Sequence, residues 1–225
     1  MYDVVDDYKN VIAILSTKDK VLALLAKRIR AIATKEVETL ATNGKEIEIN
    51  PDYFQKLPDN QKVSLVAHEL SHIINLHTIR LAKYIENQVF GPFTEFIVNA
   101  IADIKINEEL KDEHYIFPQG VLYCDEIKNL VDYQQCRQLS VEELIEKLLK
   151  EAKHVKFQTT GRCMEDTIFK KGSSNGGDQI INQGDIDPNS TDDKIRDAVV
   201  ETLMVAKFIG LGQGKYGRLL DELTK

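Results

Sequence analysis

The stretch VSLVAHELSHIINL, residues 63–76, decides the reading of this chain. Val63, Leu65, Val66, Leu70, Ile73, Ile74 and Leu76 give it a wide apolar face, so the spacing predicts a helix that packs in the interior. Three ionisable side chains interrupt that face: His68, Glu69 and His72. Four residues along a helix is about 400°, so His68 and His72 project about 40° apart, one turn from each other. Two imidazoles so placed can share one Zn²⁺, while Glu69, one position on, lies beside the ion and can serve as general base toward water. The plainer reading is a core helix whose histidines satisfy each other. An ionisable trio on an apolar helix nonetheless needs partners or a metal.

A catalytic zinc takes a third protein ligand. His77 is the nearest histidine, but five residues past His72 puts it about 140° around an unbroken helix. No Gly or Pro stands between Ile73 and His77 to break it. His77 is therefore expected in a structural or supporting role, and His77→Ala is expected to leave metal content nearly intact. A second predicted helix, residues 94–110, carries Glu95, Asn99, Asp103 and Asn107 at four-residue intervals within the otherwise apolar FIVNAIADIKI. Asp103, central and anionic, is the first choice for the third ligand. Glu95 and Asn99 are the alternatives, and the competing reading is a solvated helix face.

Around these helices the punctuation is conventional. Residues 18–34 read as an amphipathic helix, opened by a Ser16-x-x-Asp19 box. Ile47 and Ile49 alternate with Glu46, Glu48 and Asn50, predicting a hairpin of 37–42 and 45–50 about a two-residue Asn43-Gly44 turn. The 45–50 strand could offer an edge to an extended peptide. The helix begun near Gln61, capped by Asp59 or Asn60, is expected to run to about Ile85. Residues 111–139 look irregular, and Ser140-x-x-Glu143 caps a helix to about Lys153. Residues 172–193 hold four glycines, five aspartates and no Lys or Arg, and read as a flexible acidic loop before a last helix, 191–209. The expected whole is one α+β domain over 1–225: mainly helical, with a small antiparallel sheet, and zincin-like in that its His68-Glu69-x-x-His72 motif resembles that of the zincins.

Composition bounds the rest. Of 225 residues, Lys and Arg number 29 and Asp and Glu 36, a formal charge of −7 that disfavours nucleic acid as partner. The cysteines Cys124, Cys136 and Cys163 form no C-x-x-C pair and are expected as reduced thiols. The acidic N-terminus lacks the pattern of a signal peptide, and no apolar run nears the ~18 residues of a membrane span. A cytoplasmic protein of bacterial or phage origin is expected. His114, Tyr115, Tyr123 and His154 are the candidate oxyanion helpers.

From about residue 20 onward the chain resembles the bacterial family known as a putative metallopeptidase domain. The resemblance is carried by TNGKEIEINPDYF, LVAHELSHIINLHTIR, NAIADIKIN, FPQGVLY, LSVEELIEKLL and AKFIGLGQGKYGRLLDEL. It implies His68, His72 and Asp103 as metal ligands and Glu69 as base, and His77 matches the last histidine of the family's helix pattern. In zincins with a glutamate ligand, E-x-x-A-D supplies it; here that frame puts Asn99 at the ligand position. Members usually carry a von Willebrand factor A-like domain after this one, which implies a partner of that kind or an ATPase-linked assembly. The two functions implied are a zinc-dependent endopeptidase acting on a peptide or protein, and a metal-stabilised interaction module without peptidase activity. The intact Glu69 favours the first, because structural zinc needs no base.

Overall fold

The computed structural model describes residues 3–154, 188–211 and 213–224. It is mainly helical with one small three-stranded sheet, an α+β architecture as expected. The chain groups into two compact units, Met1–Arg80 with Gln179–Lys225, and Leu81–Asp178.

In the first unit, α1 (Val4–Lys18) starts at Asp3, whose carboxylate accepts from the amides of Val5 and Asp6. It stops at Asp19, which is extended (φ −134°, ψ 99°) and in turn caps α2 (Lys20–Ala26) through the amides of Val21 and Leu22. The single helix expected over 18–34 is therefore wrong on two counts. Asp19 is a cap between two helices, with Ser16 bonded back to the Ala13 carbonyl. Arg30–Ala33 is a strand, β1. Ile29 and Ile32 satisfy helical spacing, but pairing with a strand distant in sequence overrides that local preference.

β2 (Leu40–Thr42) runs antiparallel to β3 (Glu46–Ile49), with Leu40 opposite Ile49 and Thr42 opposite Ile47. β1 pairs with the other side of β3 in parallel, Arg30 opposite Glu46. The sheet is mixed, not antiparallel, and β3 is its central strand. The expectation that 45–50 offers a free edge is thereby overturned. Ile47 and Ile49 are fully buried while Glu46 and Glu48 are half-buried. Burial, with the neighbouring charges of Glu46 and Glu36, raises the Glu48 carboxyl above its ordinary range.

The turn also differs from the expected two-residue type. Three residues, Asn43 to Lys45, join the strands. Only Gly44 among them has positive φ, +89°. Asn43 Oδ1 accepts from the amides of Lys45 and Glu46 at 3.0 and 3.1 Å, and Thr42 Oγ1 from that of Gly44 at 3.1 Å. A Cβ on Gly44 would stand 2.6 Å from Ile195 Cδ1. Gly44→Ala is therefore expected to destabilise the protein by about 1–3 kcal/mol, from left-handed backbone and crowding together. Chemical denaturation measures it, and Ile195→Val in the same chain should recover only the crowding part.

Asn50 caps α3 (Pro51–Phe54). Pro58, not Asp59 or Asn60, precedes α4 (Asp59–Ile74) as its cap residue. Every residue of α4 from Lys62 to Ile74 is buried. It packs against α1, α2, β2 and α10 (Pro188–Phe208). Lys62 is held by Asp7 at 2.6 Å and lies over the Phe54 ring. α5 (His77–Arg80) and α11 (Lys215–Leu223) complete the unit, the Tyr216 hydroxyl donating to Asp19. Of the acidic segment expected as a loop over 172–193, the described part, from Pro188, is already helix; the remainder lies outside the described residues.

In the second unit the helix expected to run from 61 to 85 has already ended, and α6 (Ala82–Glu86) is a separate element. A 3-10 turn at Gly91–Phe93 leads into α7 (Thr94–Asp112). α8 (Tyr133–Gln138) and α9 (Val141–His154) follow. Val98, Ile101, Ala102 and Ile104 of α7 pack with Leu144 and Ile145 of α9 in one core. The Ser140 box forms as expected: the Ser140 amide donates to Glu143 Oε2 and the Glu143 amide to Ser140 Oγ. Those Ser140 bonds hold the Glu143 carboxyl below its usual range.

Cys124 and Cys136 are joined in a disulfide, correcting the expectation of reduced thiols for this pair. Residues 111–139, read as irregular, contain α8 and a 3-10 turn at Cys124–Ile127, which bring the two Cα atoms to 5.9 Å. Nothing in a twelve-residue spacing announces that approach. Among the described residues no helix is long and apolar enough to cross a membrane.

Candidate metal centre

α4 is the buried helix expected from its apolar spacing. His68, Glu69 and His72 are 2%, 1% and 1% exposed, wholly inside a helix of apolar neighbours. The two imidazoles meet through Nε2, 3.0 Å apart. Two nitrogens bound tetrahedrally to zinc at 2.0–2.1 Å stand about 3.3 Å apart. The pair therefore has nearly the separation of two ligands on one ion. Without an ion, one Nε2 must carry a proton and donate it to the other.

On α7, Asn99, Asp103 and Asn107 are 6%, 5% and 2% exposed, so the polar row is not a solvated face. Glu95, at its start, is half-buried. Asn107 Nδ2 donates to the Leu122 carbonyl at 3.1 Å, a structural bond that occupies this side chain. Asn99 Oδ1 is buried with no hydrogen-bond partner. Asp103, buried on α7, is the anionic member of that row. The candidate donors are thus two imidazole nitrogens on α4 and a carboxylate on α7, each buried within its own unit. That chemistry fits a divalent metal of the zinc type better than it fits Ca²⁺ or Mg²⁺, which take oxygen donors.

His77 is where spacing misled. α4 ends at Ile74, and Asn75 caps it, its side-chain amide donating to the Ser71 carbonyl. Leu76 then takes a left-handed backbone, φ +53°. For a bulky residue that conformation costs about 1–3 kcal/mol, and it re-aims the chain without Gly or Pro. His77, 3% exposed, is turned back so that its Nδ1 stands 3.2 Å from His72 Nδ1. The only sequence signal was Asn75, a residue that favours helix ends.

The proposed oxyanion helpers are scattered in character. His114 is exposed with a left-handed backbone, φ +62°, and Tyr115 is buried. Tyr123 lies under Lys111 Nζ, 4.4 Å from its ring centre. Burial, then the charges of Glu108 and Glu126, pushes its phenol up and keeps it neutral. The His154 side chain lies outside the described residues. Unforeseen was Glu108, 3% exposed, which accepts from the Cys124 amide at 3.0 Å and fixes the segment after α7.

Over residues 5–225 the sequence matches the family described as "Putative metallopeptidase domain". The chain belongs to this family. No curated protein and no solved structure matches the chain at a significant level. Family membership and the buried His68–His72 pair both point to a metal ion.

Proposed function

We propose that this chain is a zinc-dependent endopeptidase that hydrolyses bonds in a peptide or protein. The observation that carries the reading is the buried His68–His72 pair, its Nε2 atoms 3.0 Å apart. His68, His72 and Asp103 would hold the ion. Zinc, when bound, supplies Lewis acidity and lowers the pKa of water.

The chain's own groups divide the remaining work. Glu69 lies next to His68 on α4 but about 100° around the helix, outside the ligand pair. Its carboxylate is the base that takes the water's proton and returns it to the departing amine. The apolar packing of α4 keeps bulk water from this carboxylate and strengthens its electrostatic interactions. A purely structural metal would need no such base, so the intact Glu69 supports the peptidase over an interaction module. A von Willebrand factor A-like or ATPase partner is a proposal that rests on the resemblance alone.

Purified protein is expected to retain about one Zn²⁺ per chain. Elemental analysis checks this, and the absence of any stoichiometric transition metal after zinc loading would overturn it. His68→Ala should abolish that uptake.

A further inference from the structure

We infer that His77 is a positioning residue for zinc: it accepts a hydrogen bond from His72 and thereby holds the His72 ring in the tautomer whose Nε2 is a ligand. The inference deepens the reading above and rests on it, because it presumes that His72 binds the metal.

The geometry admits few proton arrangements. His72 touches His68 through Nε2 and His77 through Nδ1, at 3.0 and 3.2 Å. A neutral imidazole carries one proton. If His77 donates at Nδ1, His72 must accept there and carry its own proton on Nε2, where it blocks the ligand position. If His77 accepts at Nδ1, His72 bears the proton on Nδ1 and its Nε2 lone pair is open. Only the second arrangement lets His72 bind zinc, and it requires His77 to be protonated on Nε2. Metal-bound histidines are usually oriented this way by a carboxylate or carbonyl acceptor; here an imidazole fills that place.

The backbone supports a dedicated role. The contact exists because Leu76 adopts a left-handed conformation that bulky residues avoid, and such local strain gathers where function requires it. Continued as a helix, the chain would point His77 about 140° away from His72. His77 is buried, its ring centre 5.2 Å from that of His72 and nearly perpendicular to it, at 79°. This edge-on approach aligns the two Nδ1 atoms.

The test compares the full-length chain with His77→Asn and His77→Leu. Asparagine can present an acceptor oxygen near the place of Nδ1; leucine has similar bulk and none. Zinc affinity is measured by competition with a chelator, and zinc-free thermal unfolding of all three controls for the fold. His77→Leu is expected to bind zinc about 10–100-fold more weakly, with His77→Asn restoring most of the loss. Ring ¹⁵N shifts of the zinc-loaded wild type should show His77 protonated on Nε2 and His72 on Nδ1. Equal affinity in wild type and His77→Leu, equal losses in both variants, or an Nδ1 proton on His77 would each overturn the inference while leaving zinc binding in place. A wild-type chain that takes up no zinc would overturn the parent reading, and this one with it.

Discussion

Glu69→Gln is expected to remove at least about 10²–10⁴-fold of any proteolytic activity while leaving zinc bound, since general-base assistance contributes that range. Glutamine keeps the length and shape of the side chain in a site where Glu69 is 1% exposed, so packing around α4 should survive. What it lacks is a carboxylate able to take a proton. His68 and His72 are untouched, and their Nε2 atoms keep the 3.0 Å approach. The measurement is release of soluble fragments from an unfolded protein such as denatured casein, with zinc content determined on the same samples. Activity that survives Glu69→Gln would assign the base elsewhere. Zinc in the wild type with no cleavage of any unfolded protein would favour the interaction module.

The burial of the residues to which this chemistry is assigned was legible because helices state their faces in sequence. The 40° offset of His68 and His72 and the four-residue row of Asn99, Asp103 and Asn107 both survive into the structure as buried polar groups. Ser140 and Glu143 close their box because all its partners lie within one turn. What failed depended on distant partners or on a single dihedral. Arg30–Ala33 became a strand because β3 lies alongside it, sixteen residues on. β3 lost its expected free edge for the same reason. Cys124 and Cys136 meet through the packing of short elements that have no periodicity long enough to read. His77 was misplaced by one left-handed residue, Leu76, in a stretch whose composition favours continuing the helix. Spacing rules assume uniform backbone, and the chain departs from it one residue before His77.

Asp103→Ala is expected to weaken zinc binding well beyond the ~10–100-fold typical of a group outside the ligand shell. The reasoning is one of donors and charge. Two neutral imidazoles leave the ion's double charge uncompensated in a buried setting, and Asp103, buried on α7, is the anion proposed to compensate it. Asp103→Asn separates the two contributions: it preserves size and an oxygen but not the charge, and should bind nearly as poorly as alanine. Asn99→Ala tests the competing frame, in which Asn99 would stand at the ligand position. Its Oδ1 has no hydrogen-bond partner, so its loss breaks no bond within the protein and should leave affinity close to wild type. Chelator competition gives the affinities, and thermal unfolding gives an independent view. Zinc at about 100 times its Kd stabilises the folded state by about 2.7 kcal/mol. At a zinc concentration fixed at that multiple of the wild-type Kd, wild type and Asn99→Ala should show the shift and Asp103→Ala should lose most of it. If Asp103→Ala instead binds as tightly as wild type, the third ligand lies elsewhere and Glu95, half-buried on the same helix, becomes the carboxylate to replace. If Asn99→Ala proves the weaker binder, the frame with Asn99 at the ligand position is the correct one.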